Sequence, residues 1–438
     1  MTGGFMGNRK FAALPFFYGW IIVGLGLLSM GFWTGIRSSF SIFYVALLDE
    51  FQWSRGGAAG VQSLSFIVYL VLSPLIGGLI DRYGPRRVIV PGIIVLCVGL
   101  LLSSRTNSLG QFYFFYGIVV AAGVSFISIV AYSSILAHWF EKKRGIAVGF
   151  AVSGMGLGTF LLVPLTQYLI SLWGWRVSFV VWAGIVFAVL FPVSLLFLLH
   201  RPSDIDLHPD GTIHGKASKG KRIEIIDAGW AGTAWTLRTA LGTTRYWALL
   251  AFAFFSITPV YLMVVHSVRF LVDQGLNKMS SAFILALVGI ISLGMRIFWG
   301  WLSDRIGREP TFCVGAFFIA LASFSLILIE LTGRIGLAYI FAAFLGMGWG
   351  VTAPMFIAVS ADLFQGRQFG LIYGVVEGVI GGGCAFGAWF GGFVFDKVHS
   401  YQSAFVLSTV FALLSCLLVW FSAPRKVRRT RLMVQKTD

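Results

Sequence analysis

Gly77-Gly78-Leu79-Ile80-Asp81-Arg82-Tyr83-Gly84 and Gly300-Trp301-Leu302-Ser303-Asp304-Arg305-Ile306-Gly307 are two copies of one pattern, Gly-x-x-x-Asp-Arg-x-Gly, set 223 residues apart. Each is a short charged turn between two apolar runs, with Arg86-Arg87 following the first copy and Arg308 the second. The register extends outward from them. Gly145-x-x-x-Gly149 matches Gly370-x-x-x-Gly374 at an offset of 225, and Trp175-Arg176-Val177-Ser178-Phe179 matches Tyr401-Gln402-Ser403-Ala404-Phe405 at an offset of 226. Three matches in register imply a duplicated chain. Duplicated helical halves are a transporter architecture, with the substrate site near the midplane where the halves meet.

The composition supports the same class. Of 438 residues 58% are hydrophobic and only 11% are Asp, Glu, Lys or Arg, against about a quarter charged in soluble proteins. That leaves too little polar surface to cover a water-soluble globule. The apolar runs are long and Gly-rich, which also excludes an outer-membrane barrel of alternating strands. At ~20 apolar residues per crossing, twelve spans are expected at about 18–48, 55–80, 87–104, 111–139, 146–172, 177–199, 246–272, 280–302, 311–330, 336–361, 370–395 and 402–422. The expected fold is an all-α membrane protein with two pseudo-symmetric six-helix halves, residues 1–199 and 246–423. A flexible polar linker over 200–245, with a short interfacial helix near 228–240, separates them, and 424–438 forms a basic tail.

The net charge of +16 follows from where the cations sit. Segments on one side of the expected spans hold 24 Lys and Arg, those on the other side 7. This bias predicts both termini in the cytoplasm and a multi-pass protein of the plasma (inner) membrane. Spread over separate short loops, the charge does not suit nucleic acid. No cleavable signal segment is evident, so the first span is expected to direct its own insertion. The four cysteines lie in apolar runs without metal-ligand spacing, and there is no phosphate-gripping loop or nucleophile-and-base pair. The expectation is therefore no enzyme, no cofactor and no ATP-driven pump, with a gradient as driving force.

Of the fifty charged residues, only Arg37, Arg296 and Glu377 lie well inside the spans. A charge at the bilayer centre costs at least ~2.5–3.5 kcal/mol and usually faces a cavity. Arg296 sits eight residues before Asp304, roughly 12 Å in from the rim, and its fork of donors suits a carboxylate. Its structural alternative is an Arg bonded to helix carbonyls or paired with Glu377. Glu377, at nearly the same depth, is a proton acceptor, a resting partner of Arg296 or a structural residue. Arg37 is a second contact for anions or a rim Arg snorkelling outward. His266 titrates in the neutral range if solvated, or it is a neutral ring bonded to a helix carbonyl. Tyr132, Ser133 and Tyr373 offer hydroxyls to a substrate or pack. The glycines of spans five and eleven allow close helix approach and sliding.

The two loop motifs resemble those of the major facilitator superfamily, the first departing with Pro85 where an Arg usually follows. Trp139-Phe140-Glu141-Lys142-Lys143-Arg144-Gly145-Ile146-Ala147, Gly174-Trp175-Arg176-Val177-Ser178-Phe179 and Gly294-Met295-Arg296 resemble its monocarboxylate transporter and oxalate/formate antiporter branch. The resemblance covers essentially the whole chain. It implies that Arg296 binds the substrate anion and gives His266 a counterpart in relatives. Each loop is expected to act as a conformational latch: Asp81 would face Arg144 and the positive N-terminus of span eleven, and Asp304 would face Arg367 and span five. Oxalate-type antiporters carry a Lys in span eleven, near Ile380 here, and no Lys occurs in 370–395. The expected activity is therefore alternating-access symport of a proton with a small monocarboxylate, lactate- or pyruvate-like. Entry of a bare anion against 100 mV costs about 2.3 kcal/mol per charge, which a proton removes. The rivals are organic-anion exchange, uptake of a dicarboxylate or aromatic acid, and a non-transporting membrane sensor. The expected partners are the carboxylate, protons and the lipid bilayer.

Overall fold

The computed structural model describes residues 17–140, 144–205, 207–209, 223–365 and 368–430. Among them, eleven helices are long and apolar enough to cross a membrane. The twelfth expected crossing is hidden in Arg144–Phe197, a 54-residue helical run. Straight, it would reach roughly 80 Å, far beyond a hydrocarbon core of about 30 Å. It is not straight. Gly174, at φ 75° and ψ 168°, interrupts it, and Trp182 Nε1 donates to Thr166 Oγ1 at 3.0 Å. Residues eight positions either side of Gly174 meet only if the chain reverses there, so spans five and six are separate crossings.

The other spans are one (Gly19–Phe51), two (Arg55–Tyr83), three (Pro85–Ser103), seven (Thr244–Asp273), eight (Lys278–Ile306), nine (Arg308–Thr332), ten (Leu337–Phe364), eleven (Phe369–Val398) and twelve (Gln402–Ser422). The last Gly of each loop motif explains the repeat. Gly84 and Gly307 stop spans two and eight at φ 82° and φ 99°, a region that residues with a Cβ rarely enter. Span four departs from the single helix expected over 111–139. It is assembled from Leu109–Phe112, a π-helical stretch Tyr113–Val120, Ala121–Phe126 and Ile129–Trp139, with Ser128 extended at the last break.

Each half has its own core. Trp139, Phe179 and Trp182 are buried in the first, Trp299, Phe312 and Phe405 in the second. Between the halves, span five packs on span eight and span two on span eleven. At the five–eight contact the backbones almost touch: a Cβ on Gly156 would lie 2.7 Å from the Gly289 oxygen, and one on Gly289 2.9 Å from that of Gly156.

In the expected linker, residues 206 and 210–222 lie outside the described residues. The part that follows is docked on the second half. The single helix expected over 228–240 is two short ones, Ala228–Gly232 and Leu237–Leu241, because Thr236 starts the second with its own capping box. Trp230 Nε1 donates to the Leu363 carbonyl at 2.7 Å, and Trp235 packs edge-on to Phe364. Strand β1 (Ile223–Ile225) pairs antiparallel with β2 (Arg428–Thr430). The start of the expected tail is thus tied to the linker, a small β addition to an otherwise helical protein.

Candidate substrate site

"Outer" denotes the end of the bundle where spans one and two meet, opposite the loop motifs. There the halves are joined. Asp49, near the end of span one, accepts from Arg269 of span seven and from Lys278 of span eight at 2.7 Å. Arg55, opening span two, reaches Asp273 at 2.6 Å and Tyr401 Oη at 3.1 Å. Within the first half, Glu50 takes Trp175 Nε1 at 2.5 Å and Arg176 Nη1 at 2.6 Å, which gives the Trp-Arg of the Gly174 motif its structural work. The Asp49 and Arg55 contacts tie the two halves together at the outer end.

Below them lie the two intramembrane arginines, one on each half. Arg37 is 5% exposed, so it is not a rim Arg snorkelling to water. Its guanidinium carbon lies 4.9, 4.8 and 4.7 Å from the ring centres of Trp33, Phe66 and Tyr69. Arg296 donates to the Met155 sulfur of span five at 3.0 Å and stands 5.9 Å from the Trp349 ring. Rings connect the two: Phe66 meets Tyr261 edge-on at 4.8 Å, and Tyr261 meets Trp349 at 6.2 Å. Spans one, two, seven and ten thereby supply an aromatic wall with a cation at each end.

Donors dominate this wall. Among the described residues, Arg37 Nε and Nη2, Trp33 Nε1 and Arg296 Nε find no acceptor. Cation–π contact contributes about 0.5–2 kcal/mol, less than the several kcal/mol that a buried, unpaired charge costs. An anion with planar oxygens satisfies both terms, because a guanidinium presents parallel N–H groups to a carboxylate.

The other expected site residues divide. Glu377 is not the resting partner of Arg296. It accepts the Tyr373 hydroxyl at 2.5 Å, one helical turn away, and no ion pair joins it to an arginine among the described residues. The structure does not bring His266 to Arg296. Its ring is fully buried beneath the outer contacts, with Nε2 2.7 Å from the Ala388 carbonyl and Nδ1 3.3 Å from Tyr401 Oη. Tyr132, 1% exposed, accepts from Ser29 Oγ at 2.7 Å inside the first half. Packing therefore accounts for its hydroxyl in this state. Asp304 pairs with Arg308 at 2.9 Å. Arg367 and the side chains of Asp81, Ser133 and Arg144 lie outside the described residues. Nothing in the sequence singles out Trp33, Met155, Tyr261 and Trp349. With 42 Phe, 15 Trp and 13 Tyr in the chain, no spacing marks which rings face an arginine.

The family model described as the Major Facilitator Superfamily matches residues 21–360 and 339–436. The chain belongs to the Major Facilitator Superfamily. Among relatives of this superfamily transporter, the oxalate:formate antiporter of Oxalobacter formigenes is 25% identical over 440 residues, covering 99% of this chain and 96% of that one. Monocarboxylate transporter 2 of Homo sapiens is 23% identical over 357 residues, 80% of this chain and 74% of its own. These matches place it in the monocarboxylate and oxalate–formate branch, a family of membrane transporters and not of enzymes. A bacterial homolog of the human lysosomal transporter Spinster, solved inward-facing and unoccupied, has the same fold at a TM-score of 0.69 and 15% identity, over 97% of this chain and 98% of that one.

Proposed function

We propose that this superfamily transporter carries a small monocarboxylate, lactate- or pyruvate-like, together with a proton by alternating access, both termini facing the cytoplasm. The observation that carries the reading is Arg296: a half-buried guanidinium between the halves, with Nε unmatched and no carboxylate against it among the described residues. A carboxylate docks there in two parallel hydrogen bonds, and the rings of Trp349 and Tyr261 accept its short apolar tail. Glu377 with Tyr373 is the proton-site candidate of span eleven, since the 2.5 Å hydroxyl contact gives a carboxylate and a partner to share a proton. His266 has both ring nitrogens engaged at the outer end and serves the proposal less well.

A second reading draws on Arg37. Its place inside the aromatic wall, with two unmatched N–H groups, supplies the second cation that span eleven lacks. Two cations suit two carboxylates, as in oxalate. Uptake of labelled lactate into proteoliposomes under an imposed pH gradient, with oxalate, malonate and pyruvate as competitors, separates the two. The monocarboxylate reading expects pyruvate to compete at least ~10-fold better than oxalate, since a second carboxylate without an ionic partner loses more than the 1.4 kcal/mol that a factor of ten represents. Equal or stronger competition by oxalate overturns it in favour of the two-arginine site. Uptake that ignores the pH gradient removes the proton from the scheme.

A further inference from the structure

The outer tip of span two is held by the opposite half through its backbone as well as its side chain. Asp396, near the end of span eleven, accepts from the N–H of Arg55 at 2.8 Å with Oδ1 and from the N–H of Gly56 at 2.7 Å with Oδ2. These are the first two N–H groups of span two, which have no partner within their own helix. The third, from Gly57, donates to Ser54 Oγ at 3.1 Å within the same half. A helix of the first half is thus capped by a carboxylate of the second, placed at the positive end of its dipole.

The approach is close because glycines face each other. A Cβ on Gly392 would lie 2.6 Å from the Arg55 carbonyl group and the Gly56 nitrogen, and one on Gly56 3.0 Å from Asp396 Oδ2 and the Phe393 nitrogen. The Arg55 guanidinium follows its backbone across, stacking 3.4 Å from the Phe395 ring centre. The repeat offset of 225 puts Ser171 at the equivalent point of span five, and its hydroxyl donates to the Tyr168 carbonyl of its own helix. At that point of span five the side chain bonds within its own helix and caps nothing across the interface.

We propose that Asp396 is a latch of the outer gate, capping span two while the outer end is shut and releasing it when the transporter opens outward. The proposal rests on the alternating-access reading and adds to it a positioning residue that touches no substrate. A latch has to be weak enough to open in every cycle. An N-cap side chain shifts an equilibrium by roughly 2- to 30-fold, and on opening both the carboxylate and the freed N–H groups pass to water.

The test reads the gate directly. Spin labels on cysteines replacing Arg105 and Arg334, exposed in outer loops of the first and second half, report the separation of the outer ends by pulsed electron resonance, with Cys97, Cys313, Cys384 and Cys416 changed to Ser. Asp396→Ala and the milder Asp396→Asn are expected to raise the long-distance population roughly 2- to 30-fold without added substrate. Gly392→Ala, which wedges the same contact without touching its charge, is expected to do likewise. Lys397→Ala, an exposed neighbour, leaves the distances unchanged. Distances in folded Asp396→Ala or Asp396→Asn protein that superimpose on those of the parent overturn the latch. Uptake by the parent protein separates the two proposals: opened distances in the variants with no acid transported by the parent retain the latch and sink the substrate reading, whereas unchanged distances with normal parental uptake sink the latch alone.

Discussion

At the outer end of the bundle Arg55 meets Asp273, and Arg269 and Lys278 share Asp49, whereas in the middle Arg37 and Arg296 meet rings and a thioether and, among the described residues, no carboxylate. The same residue type is used in two ways because the surroundings differ. The rim pairs are partly shielded, with Arg55 13% and Arg269 19% exposed, but each cation there has its carboxylate, so closing the outer end leaves none of these charges unpaired. Guanidiniums inside the bundle without a carboxylate carry a cost, several kcal/mol for one as buried as Arg37. A chain that carries two of them has a use for a positive centre, and an anion passing between the halves supplies one.

Substitution at Arg296 bears hardest on that contrast. Arg296→Lys keeps the charge and loses the parallel donors, and uptake is expected to fall at least ~100-fold, about 2.7 kcal/mol, within the range for a lost hydrogen-bonded charge pair, while the protein still inserts. Wild-type uptake by that variant would remove Arg296 from the site. Arg37→Gln comes next. If Arg37 is only a companion charge, monocarboxylate uptake drops about 10-fold. A total loss of oxalate competition with pyruvate competition kept would show it to be the second cation.

Glu377→Gln separates coupling from binding. Accumulation up a pH gradient is expected to vanish while exchange of labelled for unlabelled substrate stays within about threefold, because the amide holds the Tyr373 contact but takes no proton. Accumulation at the wild-type level would move the proton elsewhere. The smallest effect is expected at the rim. Asp49→Asn removes the negative charge shared by Arg269 and Lys278, while Arg269 keeps Asp273, and should change uptake by no more than about fivefold, the difference shrinking as salt is raised. A 100-fold loss there would erase the distinction between rim and centre.

Much of the fold was legible because its signals are local. Apolar length marked the spans, the turn glycines Gly84 and Gly307 marked the ends of spans two and eight, and the repeat gave the two halves. Span four and the linker were less legible. The π-helical stretch at Tyr113–Val120 and the docking of Trp230 and Trp235 on span ten depend on neighbours far along the chain, and no local pattern encodes them. The candidate site divides in the same way. Arg37, Arg296 and Glu377 stood out as charges in apolar surroundings, while Asp49, Arg55 and Asp396 looked like ordinary charges at helix ends.

By itself the sequence determined that this chain crosses a membrane as two related helical halves and that it keeps three charges inside them, because hydrophobic length and the cost of burying charge act on each segment independently. Only the tertiary structure decided what those charges meet. Arg37 went to an aromatic cage and not to the rim, Glu377 to Tyr373 and not to Arg296, His266 to the Ala388 carbonyl and Tyr401, and Asp396 to the first turn of a helix in the opposite half. The Glu377 contact lies within one helix and the Arg37 cage within one half, whereas those of His266 and Asp396 depend on how helices more than a hundred residues apart are set against each other. A side chain's partner across such an interface is fixed by ångström-scale packing, which residue spacing along the chain does not carry.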